Sequence, residues 1–273
     1  MPELPEVETF TRALRQGTSD APSIIGLIVS HAEVLWPGTI ETPSPRIFKQ
    51  RIKGQQVVDV GRRGKYIVIA LERDTLLMHL RMSGDLLIGQ GATPLGTHPR
   101  LVLYFQGGWQ LAFNNPRKFG RVWLLADPEQ ELGKLGPEPL DETLDTDDFH
   151  RRLSSRKRAI KPLLLDQSFI AGIGNIYADE ALHLAHIHPC TPANSLQISQ
   201  AGRLLEAIRT VLQNGIDNNG ASIDWVYRGG NFQNQFRVYA REGEPCLECG
   251  TAVEKTVIGQ RGTHFCPICQ PAP

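Results

Sequence analysis

The apolar positions change their period along the chain, and the changes divide it. Val7, Phe10 and Leu14 recur at spacings of three and four within Pro5–Gln16, the stripe of an amphipathic helix. Pro5 suits a first helical position, Glu6 and Glu8 complement the positive end of the helix dipole, and Gly17 is a stop signal. From about Ile24 to Leu125 the pattern shifts to short runs rich in Val, Ile and Leu, punctuated by Gly and Pro. Val57–Val60, Tyr66–Leu71, Leu76–Leu80, Leu101–Phe105 and Val122–Leu125 predict strands of an antiparallel sandwich or barrel. After residue 140 the period becomes helical again. Asp147 or Asp148 is placed to cap a helix through Leu153, and Ile160–Gln167 and Ile176–Ala185 predict two more. A fourth spans Ser199–Asn214, with Ser199 as its cap and Gly215 at its end. Asp217–Gln235, rich in Asn and Gly, reads as a loop.

Composition adds little until it is mapped. Of 273 residues 41% are hydrophobic and 21% charged, which is the balance of a folded chain and excludes a disordered one. The length suggests two domains and a small third module. The chain has no run of 18 apolar residues to span a membrane, and its start lacks the basic-then-apolar order of a secretory signal, so it reads as intracellular. The 29 basic and 29 acidic side chains cancel, which weighs against a polyanion partner until their order is examined. Nine bases against three acids lie between Arg46 and Arg81, and six bases with no acid between Arg151 and Lys161. Arg100, Arg117, Lys118 and Arg121 form a third basic stretch, while nine acids and one base fill Asp127–Asp148. Each run alone is compatible with a solvated face; three together suit one face that binds a polyanion. The acidic stretch is the natural connector between domains.

Cys246, Cys249, Cys266 and Cys269 form two knuckles with two residues inside each and sixteen between them. That spacing places four thiolates around one zinc, with room for a hairpin in between. A redox pair or two disulfides fit an intracellular chain less well. Four protein ligands leave no open position, so the metal is expected to be structural. Arg261, in the predicted hairpin, suits a phosphate contact and a solvated turn equally.

The chain opens Met1-Pro2-Glu3-Leu4-Pro5-Glu6. Removal of Met1 before a small residue would expose the secondary amine of Pro2, whose α-amino character leaves far more of it neutral near pH 7 than a lysine. A neutral amine can attack an aldehyde-like carbon and form an iminium, with Glu3 and Glu6 near enough in sequence to move protons. Many proteins begin Met-Pro, so this alone is a weak signal.

Together these segments carry a resemblance. The opening Pro2-Glu-Leu-Pro-Glu-Val-Glu8, Gly64-Lys65-Tyr66, His79-Leu-Arg-Met82-Ser-Gly84 and Asn115-Pro-Arg117-Lys-Phe119-Gly120 occur in that order. Leu135-Gly-Pro-Glu-Pro139, Ala159-Ile-Lys161-Pro162, Gly172-Ile-Gly-Asn175-Ile-Tyr-Ala178 and the cysteine ribbon with Gln260-Arg261 follow. The ordered set resembles the formamidopyrimidine-DNA glycosylases, bacterial base-excision enzymes for oxidised purines, over essentially the whole chain.

The resemblance implies an α+β multidomain protein. Its parts would be an N-terminal antiparallel β-sandwich with a flanking helix (1–126), a linker (127–139), a helix–two-turn–helix DNA-binding module (140–228) and a zinc ribbon (236–270). It implies Pro2 as the nucleophile at C1′ and Glu3 as the general acid, with Lys65 and Arg261 serving the first and second eliminations and Glu6 as a further active-site acid. It also implies DNA contacts from His98, Arg117, Arg156, Lys161 and Asn175. Met82 and Phe119, which without the motif match read as core residues, become with Arg117 the wedge that fills the stack when a base is flipped out. One structural zinc, a duplex partner containing oxidised purines or abasic sites, a monomeric state and a bacterial, nucleoid-associated cytoplasmic location complete the expectation. The loop between Gly220 and Arg237 is shorter than the family's lesion-capping loop, and its Tyr227-Arg-Gly-Gly-Asn-Phe232 run differs, which leaves the ranking of lesions open. Two alternatives remain. The endonuclease VIII branch prefers oxidised pyrimidines but typically opens Pro-Glu-Gly-Pro-Glu, where this chain has Leu4. A DNA-binding protein that has lost catalysis would not require Pro2, Glu3 and Lys65.

Overall fold

The computed structural model describes residues 1–91, 95–222 and 229–273. Met1–Lys134 build one compact unit, and Leu135–Ala221 with Gly230–Pro273 build another.

The first unit begins with helix α1 (Leu4–Gln16), whose stripe of Leu4, Val7 and Leu14 is buried as the spacing predicts. Strands β1 (Val29–Val34) and β2 (Ile40–Thr42) and helix α2 (Pro45–Ile52) follow. The hairpin strands β3 (Val57–Arg63), β4 (Tyr66–Leu71) and β5 (Thr75–His79) come next, then β6 (Asp85–Gln90), β7 (Pro99–Phe105), β8 (Trp109–Asn114) and β9 (Arg121–Leu125). They form a four-stranded sheet in the order β1-β7-β8-β6 and a five-stranded sheet in the order β2-β9-β5-β4-β3. Every pairing within the two sheets is antiparallel except the short β2–β9 pair. Val29, Leu101, Leu103, Leu111 and Phe113 of one sheet share a single core with Val57, Ile67, Ile69, Leu76 and Val122 of the other. Burying each such side chain stabilises the fold by about 1.5–3 kcal/mol. Helix α2, which the strand-like pattern around it conceals, adds Phe48 and Ile52 to that core. The first part of the acidic stretch forms the short helix α3 (Glu129–Leu132), where Glu131 accepts a hydrogen bond from the Tyr66 hydroxyl at 3.0 Å.

The second unit holds α4 (Thr146–Ser154), α5 (Ile160–Leu164), α6 (Asn175–Leu184), α7 (Ile198–Asp217) and the hairpin β10 (Glu254–Ile258) and β11 (Arg261–Phe265). Three expectations are corrected here. Asp145, rather than Asp147 or Asp148, caps α4, its carboxylate accepting the Asp148 N–H at 2.8 Å. Helix α5 ends at Leu164. Helix α7 starts at a capping box between Gln197 and Gln200 and runs through Gly215 to Asp217. The buried Ile216 makes the extra turn worth its glycine, because packing overrides a propensity cost of about 1 kcal/mol. The run Phe232–Gln235 forms a single 3-10 turn, while Tyr227 and Arg228 of the expected capping loop lie outside the described residues.

Candidate active site and nucleic-acid interface

Pro2 and Glu3 immediately precede α1 and are both buried. Glu3 and Glu6 form a reciprocal capping box: each carboxylate accepts the other residue's backbone N–H, the Glu3 N–H reaching Glu6 Oε2 at 2.7 Å. Both carboxylates are therefore ordered, and the peptide joined to Pro2 is fixed by side-chain bonds.

Lys65 sits in the two-residue turn between Arg63 and Tyr66, the last and first paired residues of β3 and β4. Gly64 takes a left-handed conformation there (φ 56°), which a tight hairpin of this kind demands. Lys65 is 5% exposed. Beneath the turn, His79 packs edge-on against Tyr66 at 4.8 Å between ring centroids. Burial first, then the charges of Arg81 and Lys65, push His79 down to about 3, so it is a neutral imidazole. Its Nδ1 accepts the Arg81 N–H at 3.0 Å, supporting the turn that carries Met82.

Met82 and Phe119 are 44% and 53% exposed, so the core alternative is excluded for both. They stand on two loops that are tied together. Ser83 Oγ donates to Asn115 Oδ1 at 3.2 Å, and Arg117 Nη1 lies 3.9 Å from Met82 Sδ. Gly120 is required by close approach, since a Cβ would run into Asn115 and the Phe113 ring. His98 is exposed and flanks the second loop, its carbonyl accepting the Asn115 N–H at 3.0 Å. Within the basic stretch the arginines divide: Arg117 lies on the tip with the exposed apolar pair, whereas Arg100 and Arg121 donate to carbonyls of the loop.

In the second unit Lys161, expected at a DNA contact, is fully buried. Its ammonium pairs with Asp179 Oδ1 at 2.6 Å and donates to the Gly262 carbonyl at 2.9 Å and Thr263 Oγ1 at 2.7 Å. These bonds fix β11 to the helices. Asn175, the first residue of α6, also donates to the Gly262 carbonyl, at 3.1 Å, and its buried Oδ1 has no hydrogen-bond partner among the described residues. Arg261, one residue before this doubly held carbonyl, is exposed at the start of β11, and Arg156 is exposed just beyond α4.

The sequence reading missed the acidic pair that anchors the ribbon. Asp179 accepts the His264 N–H at 2.9 Å, and Glu180 accepts three consecutive N–H groups, those of Arg237, Val238 and Tyr239, at 2.8–3.0 Å. Burial pushes the Glu180 carboxyl up, against the downward pull of those three donors. The available signal was two adjacent acids inside the otherwise apolar segment 176–184.

The four cysteine sulfurs lie within 4.8 Å of one another, with Cys249–Cys266 at 3.4 Å and Cys246–Cys269 at 3.9 Å. A tetrahedral zinc with bonds of about 2.3 Å needs sulfurs about 3.8 Å apart, so the set fits one ion. The thiols shift in opposite directions: hydrogen bonds from Thr251 hold Cys249 down at about 6, while burial pushes Cys266 and Cys269 up. A divalent cation removes that conflict by binding all four as thiolates. His183, fully buried on α6, places Nε2 3.4 Å from Cys246 Sγ, a contact that orients a ligand from behind.

Three family models match in sequence order. They are the formamidopyrimidine-DNA glycosylase N-terminal domain over residues 1–122, its H2TH domain over 135–226, and the zinc finger found in FPG and IleRS over 243–272. A formamidopyrimidine-DNA glycosylase of Herpetosiphon aurantiacus is 44% identical across 99% of this chain and 100% of its own. The chain belongs to the formamidopyrimidine-DNA glycosylase family. A second family member, from Chloroflexus aurantiacus, is 46% identical over 99% of this chain and 98% of its own. Among solved glycosylases, the wild-type Lactococcus lactis enzyme in complex with N7-benzyl-Fapy-dG DNA superimposes with a TM-score of 0.91 at 36% identity, covering 99% of this chain and 100% of that one. The same enzyme with abasic-site DNA gives 0.90, with the same identity and coverage. The glycosylase fold is thus shared end to end, ribbon included.

Proposed function

We propose that this protein is a bifunctional DNA glycosylase and abasic-site lyase of base-excision repair, acting on oxidised purines such as 8-oxoguanine and formamidopyrimidines. The observation that carries the reading is the amino terminus itself, where Pro2 is joined to a buried capping box of two glutamates. Solved relatives in complex with Fapy-dG and abasic-site DNA support the substrate class.

Once Met1 is removed, the Pro2 nitrogen attacks C1′ of the damaged nucleotide. The N-glycosidic bond breaks, the base departs with its electron pair, and Glu3 delivers the proton that opens the deoxyribose ring. The resulting iminium acidifies the C2′ proton, whose removal expels the 3′ phosphate; a second elimination expels the 5′ phosphate. Lys65 serves the first elimination and Arg261 the second. Glu6 acts through its bond to the Glu3 N–H, holding the nucleophile's neighbour in place.

Met82 and Phe119 enter the stack when the base leaves it, while Arg117 faces the orphaned partner base; His98, Arg156 and Asn175 contact the backbone. Zinc, held by Cys246, Cys249, Cys266 and Cys269, keeps the ribbon that presents Arg261. Relatives from bacteria support placement in the bacterial cytoplasm, on the nucleoid. No helix is long and apolar enough to cross a membrane among the described residues.

Borohydride trapping on a duplex with one 8-oxoguanine opposite cytosine tests the proposal. A covalent adduct forms with the processed protein and disappears in Pro2→Gly or when Met1 is retained. Normal duplex affinity with no adduct on any oxidised purine would make this a DNA-binding protein instead.

A further inference from the structure

The loop from Asn115 to Gly120 carries its exposed Phe119 on a backbone that makes few bonds of its own. Lys118 adopts a left-handed conformation (φ 61°), a costly one for a residue with a side chain, and its N–H reaches the Asn115 carbonyl at only 3.2 Å. The carbonyls on the far side of that turn are collected by one guanidinium. Arg121 Nη1 donates to the carbonyls of Lys118 at 3.0 Å, Phe119 at 3.2 Å and Gly120 at 3.0 Å. Its Nε is held by Glu41 Oε2 at 3.1 Å, on the strand beside it. At the other end of the loop, Arg100 Nε donates to the Asn115 carbonyl at 2.9 Å. The Lys118 ammonium lies 4.2 Å over the Trp36 ring, which turns that side chain away from the tip.

From this arrangement we infer that Arg121 is a positioning residue for base extrusion: it fixes the Phe119 carbonyl turn so that the ring is presented ready to enter the stack. The inference rests on the glycosylase reading above. The three carbonyls are held through Nη1 while Nε is held by Glu41, so one rigid planar group joins the loop to the neighbouring strand; a lysine ammonium offers a single nitrogen and serves only one of the two sides. The aromatic ring must enter between bases that resist separation, so freedom in its backbone is a direct loss at the extrusion step. The loss is smaller where the damaged base is already absent, because nothing has to be unstacked.

The experiment compares wild type, Arg121→Met and Arg121→Lys on two duplexes, one with a stacked 8-oxoguanine and one with a preformed abasic site. Single-turnover trapping is followed on both, with a 2-aminopurine beside the lesion reporting extrusion and thermal melting reporting the fold. The expected result is a loss of about ten-fold for Arg121→Met on the stacked lesion, the scale of a small misplacement of a working group. The 2-aminopurine rise slows equally, trapping on the abasic duplex stays within about two-fold, and Arg121→Lys is intermediate. Equal rates for all three proteins on the stacked lesion overturn the inference, as does an equal loss on both duplexes, which would mark a general structural role. If wild type traps neither duplex, the glycosylase reading fails; if it traps both and the variants match it, only the role of Arg121 does.

Discussion

Glu8 accepts the Arg62 Nε at 3.1 Å, and Arg62 Nη1 donates to the Gly64 carbonyl at 2.9 Å. One side chain thereby ties the helix that begins after Pro2 to the turn that carries Lys65. Arg62 is only 10% exposed, so the pair is largely withdrawn from solvent. Removing Arg62 leaves Glu8 without its less exposed partner, at an expected cost of about 1–3 kcal/mol. Arg62→Met is expected to melt earlier and to slow trapping more than it weakens duplex binding, whereas Arg12→Met, at the exposed end of the same carboxylate, is expected to do neither. Melting curves and binding isotherms beside trapping rates check this; equal effects of the two substitutions would contradict it.

Lys161 gives the sharpest contrast between readings. As an internal anchor, its loss leaves the buried Asp179 without its ammonium partner and with only the His264 contacts, and breaking a buried pair in this way typically costs about 3–5 kcal/mol. Lys161→Met is therefore expected to destabilise the second unit, and Lys161→Met with Asp179→Leu to recover part of that loss. Denaturant unfolding measures both. Unchanged stability, together with a salt dependence of binding shallower by about one charge, would instead mark a direct phosphate contact.

His79 makes stability depend on pH. Its folded pKa, about 3, lies below the ordinary 6.5, so the folded state binds no proton there while the unfolded state does. The contribution is complete above pH 6.5 and is lost as pH falls toward 3, at about 1.4 kcal/mol per pH unit. Between pH 7.5 and 5 the wild type is expected to lose about 2 kcal/mol more than His79→Gln. Urea titrations at the two pH values provide the comparison, and identical losses would exclude a buried neutral imidazole.

Metal removal is expected to act on α6 as well as on the ribbon. Cys246→Ser or Cys266→Ser should lose zinc and duplex binding together, because Arg261 and the doubly held Gly262 carbonyl depend on the ribbon's fold. Zinc content by atomic absorption beside duplex affinity tests it; full binding by a zinc-free variant would refute the structural role.

The parts of the site that were legible in sequence are those whose chemistry is local. The cysteine knuckles carry their meaning in their spacing, whereas Pro2 and Lys65 drew theirs from the family resemblance; β3, β4, β5, β7 and β9 showed themselves by Val, Ile and Leu runs, while β1, β2, β6 and β8 did not. The internal ion pair of Lys161 was not legible because its partner Asp179 lies on another helix and no spacing connects the two. Met82 and Phe119 were ambiguous for the opposite reason, since apolar residues in loops look like core until exposure is known. The cap of α4 is a local choice among three nearby aspartates that the pattern does not decide, and the extra turn of α7 was set by the packing of Ile216, which a propensity reading does not see. The offsetting totals of 29 bases and 29 acids hid an internal division, in which some arginines of the basic runs hold carbonyls and others remain exposed.

Chain ends are ordinarily the most loosely held part of a protein. Here Pro2 is one peptide away from a capping box, so the nitrogen proposed as nucleophile inherits the order of the first helical turn. Fraying of that turn and loss of a competent nucleophile are then a single event. Substitutions anywhere along α1 that loosen its first turn should scale the active fraction of the enzyme, even where they touch no substrate.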